Sequence, residues 1–522
     1  MRTSTRRGAK VAAIAAASAL ILSACSSAGG ESKEGTSEGA APAKDTITAQ
    51  VAYSTKKFDP SSTSSALALA GNWHVTEGLY DLDMSTFKVY PALAAGEPEM
   101  VSPTEYKVTL RDGAKFSNGE AVTPADVVSS FGRTMAEGGL YLSMLDFIDS
   151  VTPDGDKAVV IKLKKPFPLA QQRFSLVRIV PEKATAEELT AMPIGSGPWK
   201  YTQITDQQVH FEKNDHYNGS KPATTMKMVW NVNTDDTARV TAMQQGDTDV
   251  MENVPAKAFE TLKSAGAKIE TVQGFNQAFI MFNTKQAPFD NVKARQAVLY
   301  AIDAQKLIDN QLAGQADPVT SFLPESFANY HKAKNVYTHD VEKAKALLAE
   351  AGVSTPLDFT LYTTDHKWVT ELAPQIKNNL AEVGINVNIE SMKSSALYPN
   401  ITDVDDATYK MVLAPGDPSV FGNDPDLLMN WWYGDNAWTK KRSFWNGSEG
   451  YNKLHEAMDR ALAAEGAAQQ EAWNECFDIL SEEVPLYPLF HRKVSTAIKG
   501  DVFSNYEAVG TTGLSFLNAK LK

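Results

Sequence analysis

Asp417 stands in the run Ala414-Pro415-Gly416-Asp417-Pro418-Ser419-Val420-Phe421-Gly422-Asn423-Asp424-Pro425-Asp426, and Trp431-Trp432-Tyr433 follow shortly after. Carboxylates on a loop stiffened by proline and glycine can neutralise an amine, and indole faces can cover an apolar or sugar-like surface. That is the chemistry of holding a solute. The same residues also suit solvated acids beside core tryptophans, so the segment alone leaves both readings open. Catalysis has less to work with. Gly195-Ser196-Gly197 lacks the residue between each glycine and the serine that a nucleophile elbow needs, and Pro198-Trp199-Lys200-Tyr201 suits a turn entering a strand. The eight histidines form no pair at helix-face or finger spacing, and two cysteines cannot build a metal cage. The acid-rich stretches 403–406 and 417–426 lack the glycine and terminal glutamate of a calcium loop. The sequence therefore predicts no catalytic residue, no metal site and no cofactor.

Cys25 carries a different chemistry. Leu22-Ser23-Ala24-Cys25 follows a basic start (Arg2, Arg6, Arg7, Lys10) and an apolar run over residues 11–22. This is the pattern of a bacterial lipoprotein signal, in which Cys25 receives the lipid. The run is shorter than the ~20 residues a spanning helix needs. Residues 1–24 are then a signal peptide, and 25–44, rich in Ser, Gly, Glu, Ala and Lys, a tether with roughly 25 Å of average reach. The expected address is the outer face of the cytoplasmic membrane. Cys476 shares a helical face with Trp473, Phe477 and Leu480 and is expected as a buried thiol. The formal charge of −13 argues against nucleic acid as a partner.

A chain of 522 residues exceeds the ~250–300 at which one core stops growing, so at least two lobes are expected. Ile47, Ala49, Val51 and Tyr53 alternate with polar neighbours as one face of a strand, and Tyr106, Val108 and Leu110 do the same. Thr123-Pro124 with Asp126 predicts a capped helix start, with Val127, Val128 and Phe131 facing inward. Val159, Ile161 and Leu163 mark another strand. Strand 357–362, a helical pattern over 368–383, a stop at Gly384 and strand 385–389 predict a parallel αβ layer. Residues 292–312 and 340–351 read as amphipathic helices closed by Gly314 and Gly352.

Several segments carry a resemblance in their order and spacing. They are Glu77-Gly78-Leu79-Tyr80-Asp81; the run from Tyr106 through Asp112-Gly113 and Asn118-Gly119 to Val128; Gly195-Ser196-Gly197-Pro198-Trp199; Phe282-Asn283-Thr284 with Pro288-Phe289 and Arg295-Gln296-Ala297; and the run from Glu342 to Gly352. Over residues 46–490 the chain resembles the peptide/nickel-type extracellular solute-binding proteins of ABC importers. The resemblance implies an α/β, two-lobed periplasmic-binding-protein fold, class II-like and of cluster C, with an extra subdomain inserted in the first lobe. The implied division is lobe I over 45–81, 194–272 and 489–522, the insert over 82–193, and lobe II over 273–488. It implies a monomer that captures a small peptide or similar charged solute and hands it to the transmembrane subunits of an ABC permease.

The resemblance also assigns roles. Asp417 matches the aspartate that pairs with a peptide amine, although no tryptophan precedes it and residues 418–422 look inserted. His366 and Lys367 match a segment whose basic group meets the peptide carboxylate, and Tyr53, Ser54 and Thr55 match a strand edge that bonds a peptide backbone. Trp431 and Trp432 suit sugar stacking, which keeps an oligosaccharide, a metal chelate or an opine-like solute as alternative cargo. A surface-anchored hydrolase is the alternative of another class.

Overall fold

Alternating burial builds the first strand of the computed structural model, Thr46–Val51, in which Ile47, Ala49 and Val51 all point into the core. The structure describes residues 44–522; Cys25 and the segments expected as signal peptide and tether, up to residue 43, lie outside the described residues. This strand pairs in parallel with Lys227–Val232 on one side and Val250–Met251 on the other. Gln208–Lys213 and Trp199–Ile204 extend that half of the sheet by antiparallel pairing. The opposite half is the parallel layer read from the sequence: Leu357–Thr364 lies between Ile385–Met392 and Met411–Gly416, parallel to both.

Two long antiparallel strands, Ala267–Phe282 and Leu486–Lys499, join the halves. Residues 267–273 pair with 493–499 beside the first half. After a register shift between Gln273 and Gln277, residues 277–282 pair with Leu486–Lys499 on one side and with Met411–Gly416 on the other. This ribbon is the joint of the sheet, since every other strand belongs to one half.

A separate four-stranded sheet, ordered Glu99–Ser102, Glu105–Thr109, Ala158–Leu163 and Ile148–Asp154, lies inside residues 82–193. Helix Pro124–Thr134 packs on it, started by the expected capping box: the Thr123 amide donates to Asp126 at 2.8 Å while the Asp126 amide donates to Thr123 Oγ1 at 3.4 Å. Trp473, Cys476, Phe477 and Leu480 are buried together on helix Gly466–Glu483, as their spacing predicts.

Two expected helices are each broken. Residues 292–312 form Val292–Ala301 and Ala304–Leu312, because the Asp303 side chain accepts from the Lys306 amide and caps a second helix. Residues 368–383 form Lys367–Thr370 and Ala373–Glu382, with Pro374 in the first turn of the second helix, where its missing N–H costs nothing. Gly195-Ser196-Gly197 does enter strand Trp199–Ile204, and close packing explains its glycines. A Cβ on Gly195 would stand 2.1 Å from the Val75 carbonyl oxygen, and one on Gly197 2.5 Å from that of His74.

Candidate ligand-binding cleft

A cavity of about 1240 Å³ opens where the two halves of the sheet meet along the ribbon. The first half contributes the residues just beyond strand Thr46–Val51 and the start of helix Asp236–Gln245; the second contributes the turn after Leu357–Thr364 and the end of Met411–Gly416. Of the residues singled out in the sequence, Tyr53, Ser54, His366, Lys367, Asp417, Trp431 and Trp432 all line it. Thr55 is not in its wall, and its hydroxyl accepts from the Lys57 amide at 3.1 Å.

Asp417 reaches the cleft wall with its acceptors occupied. Oδ1 takes the Ser419 hydroxyl at 2.5 Å and the Ser419 amide at 3.3 Å, while Oδ2 takes the Thr512 amide and hydroxyl, each at 2.9 Å, and the Thr511 hydroxyl at 3.1 Å. Burial pushes its carboxyl up from the usual range and these hydrogen bonds pull it back. The aspartate thereby ties strand Met411–Gly416 to the C-terminal segment around Thr511. Thr46–Val51 is paired on both edges, so any backbone contact to a ligand must come from the residues after Val51.

The two tryptophans divide their work. Trp432 is 1% exposed, packed against Phe275 at 5.8 Å and Phe279 at 5.6 Å, and belongs to the core. Trp431 is half-buried against Phe421 at 5.1 Å. Burial lowers the pKa of His366, which lies 3.1 Å through Nδ1 from Thr364 Oγ1, so it faces the cleft neutral, whereas Lys367 is exposed.

Two features were missed in the sequence. Asp424 and Asp426, read there as loop acids, are buried: Arg173, itself 0% exposed, donates Nη2 to Asp424 at 2.8 Å and to Asp426 at 2.7 Å. Asp424 also caps helix Pro425–Tyr433 through the Leu427 amide. Nothing local marks this triad, because its arginine lies 251 residues away. The second is the basic wall formed by Arg239, bridged to Asp236 at 2.6 Å, and Arg492, whose guanidinium lies 4.8 Å over the Trp368 ring. Arg492 sits in a His-Arg-Lys triple inside a strand, and that unusual concentration of charge was the available signal. Among the described residues no group of three His, Cys, Asp or Glu could hold a metal ion. No described helix is long and apolar enough to cross a membrane.

The profile of the bacterial extracellular solute-binding proteins, family 5, middle region, matches residues 88–442. The chain belongs to this family. The glutathione-binding protein GsiB of Salmonella paratyphi A is 26% identical over 92% of this chain and 95% of its own, and that of Escherichia coli K12 25% over 92% and 95%. Among solved structures, the PBP AgaA from A. tumefaciens R10 in complex with agropinic acid superposes with a TM-score of 0.80 at 24% identity, covering 91% of this chain and 99% of that one. The dipeptide-binding protein from Pseudoalteromonas sp. SM9913 in complex with Met-Leu gives 0.79 at 20%, covering 91% and 100%. The two-lobed α/β periplasmic-binding-protein fold expected from the sequence is thus the fold of this family 5 protein. It is a solute-binding protein of ABC transport rather than an enzyme, which removes the hydrolase alternative.

Proposed function

We propose that the cleft captures a small peptide with a free carboxylate, glutathione-like in size, and delivers it unaltered to the transmembrane subunits of an ABC permease. The carrying observation is the wall itself: a cavity of about 1240 Å³ combines Trp431, the polar chain after Val51 and the cations Arg492 and Lys367. Such a volume exceeds the upper range of drug-sized pockets, ≈1,000 Å³, and suits a peptide with water around it. The relatives named for glutathione binding support the same cargo class.

Lobe I comprises residues 45–81, 194–272 and 489–522, the insert 82–193, and lobe II 273–488, with the ribbon as hinge. Each half-site alone is open to water, and a ligand touching both stabilises the closed form by its differential affinity. Cys25 carries a lipid, which holds the monomer at the outer face of the membrane. Cys25→Ser should release the protein into the medium or periplasm, read by fractionation. For the cargo, isothermal titration with glutathione, Ala-Ala and Met-Leu is expected to give one site with a micromolar Kd, about −8 kcal/mol. Absence of heat with all three would refute the peptide assignment.

A further inference from the structure

Eight of the nine arginines among the described residues meet a carboxylate or a backbone carbonyl. Arg111 pairs with Glu77, Arg173 with Asp424, Arg178 with Asp81, Arg239 with Asp236, Arg442 with Asp403 and Arg460 with Glu475. Arg133 donates to the carbonyls of Glu182 and Ala184, and Arg295 to that of Glu483. Arg492 differs. Among the described residues its hydrogen bond runs from Nη2 to the side-chain Oδ1 of Asn253, a neutral amide, and its plane rests on Trp368.

The position makes that difference informative. Arg492 is half-buried in the cleft wall on the ribbon strand Leu486–Lys499. The acids that bear on its charge are engaged elsewhere: Asp236 holds Arg239 at 2.6 Å, Asp417 accepts from Ser419, Thr511 and Thr512, and buried Glu252 accepts the Ala52 and Gly513 amides, each at 2.9 Å. Desolvation pulls the Arg492 pKa down, as expected of a cation withdrawn from water. Tyr53 lines the same wall, and burial holds its phenol protonated, with a pKa pushed up to about 12, so it can only donate to an anion.

We propose that Arg492, braced by Asn253 and stacked on Trp368, is the anion seat of the cleft and receives a carboxylate of the cargo, with the Tyr53 phenol as second donor. A planar guanidinium fixed on two sides matches a carboxylate by two parallel hydrogen bonds, which a lysine cannot reproduce. The assignment rests on the peptide reading of the cleft and adds the residue that selects for the acid.

Wild type, Arg492→Gln and Arg492→Lys are titrated with Met-Leu, its C-terminal amide and glutathione, after ligand-free melting curves establish that each is folded. Wild type is expected to prefer the acid over the amide by on the order of 100-fold, Arg492→Gln to lose that preference, and Arg492→Lys to keep only part of it. Should Arg492→Gln fail to fold, Arg492→Lys decides: a preference cut by about tenfold or more supports the planar seat, and an unchanged one overturns it. Undiminished affinity and preference in folded Arg492→Gln overturns the seat and leaves the peptide reading standing. Failure of wild type to bind any probe overturns the peptide reading, and the seat with it.

Discussion

Asp417 lines the cleft with both carboxylate oxygens already accepting hydrogen bonds from the protein. Its Gly-Asp context marks a cleft residue, and it does line the cleft. Ser419, which occupies one oxygen, is two positions away, but the partners of the other, Thr511 and Thr512, are nearly a hundred positions away and left no trace in the local sequence. Replacing one carboxylate oxygen by an amide NH2 would point a donor at donors. Asp417→Asn is therefore expected to lower stability by ~1–3 kcal/mol without ligand, read from urea denaturation midpoints. A midpoint equal to wild type would contradict the hydrogen-bond pattern. His74 is a second residue fixed on both sides: Nδ1–H donates to the Ala70 carbonyl at 2.7 Å and Nε2 accepts the Phe516 amide at 2.8 Å, so only the neutral ring fits. Burial lowers its pKa to about 4, whereas the unfolded imidazole protonates near 6.5. Between those values the unfolded chain binds the extra proton, so this contribution is complete above pH 6.5 and is lost as pH falls toward 4. His74→Gln should flatten the stability profile between pH 7 and 5 by roughly 2 kcal/mol relative to wild type. Parallel profiles for the two proteins would refute it.

Elements with a local cause were legible, and those with a distant cause were not. The strand at Thr46–Val51, the capping box at Thr123 and the parallel layer around Leu357–Thr364 follow from alternation, caps and turn residues within a dozen positions. The breaks at Asp303 and Pro374 carried local signals too, but continuous apolar periodicity on either side concealed them. The long ribbon could not be read, because its two strands lie more than two hundred residues apart and their match is a matter of register. Its weak point is sharply defined. Gly274 lies at the register shift, where an added Cβ would come 1.7 Å from the Gly510 carbonyl oxygen. Backbone on backbone has no flexible side chain to yield, so Gly274→Ala should cost ~3 kcal/mol or more. A thermal midpoint within a degree of wild type would show that the ribbon adapts. The Arg173 triad connects helix Ala170–Phe174 to the helix beginning at Pro425. Arg173→Met would leave two buried carboxylates without their cation and is expected to cost ~3–5 kcal/mol, again by denaturation.

At the scale of the molecule, two halves of one sheet share a ribbon and enclose a cleft between them. The chain belongs to the solute-binding family, and the cleft wall carries Trp431, the polar chain after Val51 and the Arg492 guanidinium, which among the described residues bonds the neutral Asn253 amide. A protein of this kind acts by holding rather than by transforming. Native mass spectrometry of the purified protein mixed with glutathione and short peptides tests this most directly. The account predicts a single non-covalent adduct per chain that leaves on activation with its original mass. A protein that stays bare against every peptide, or a released solute of altered mass, would contradict it.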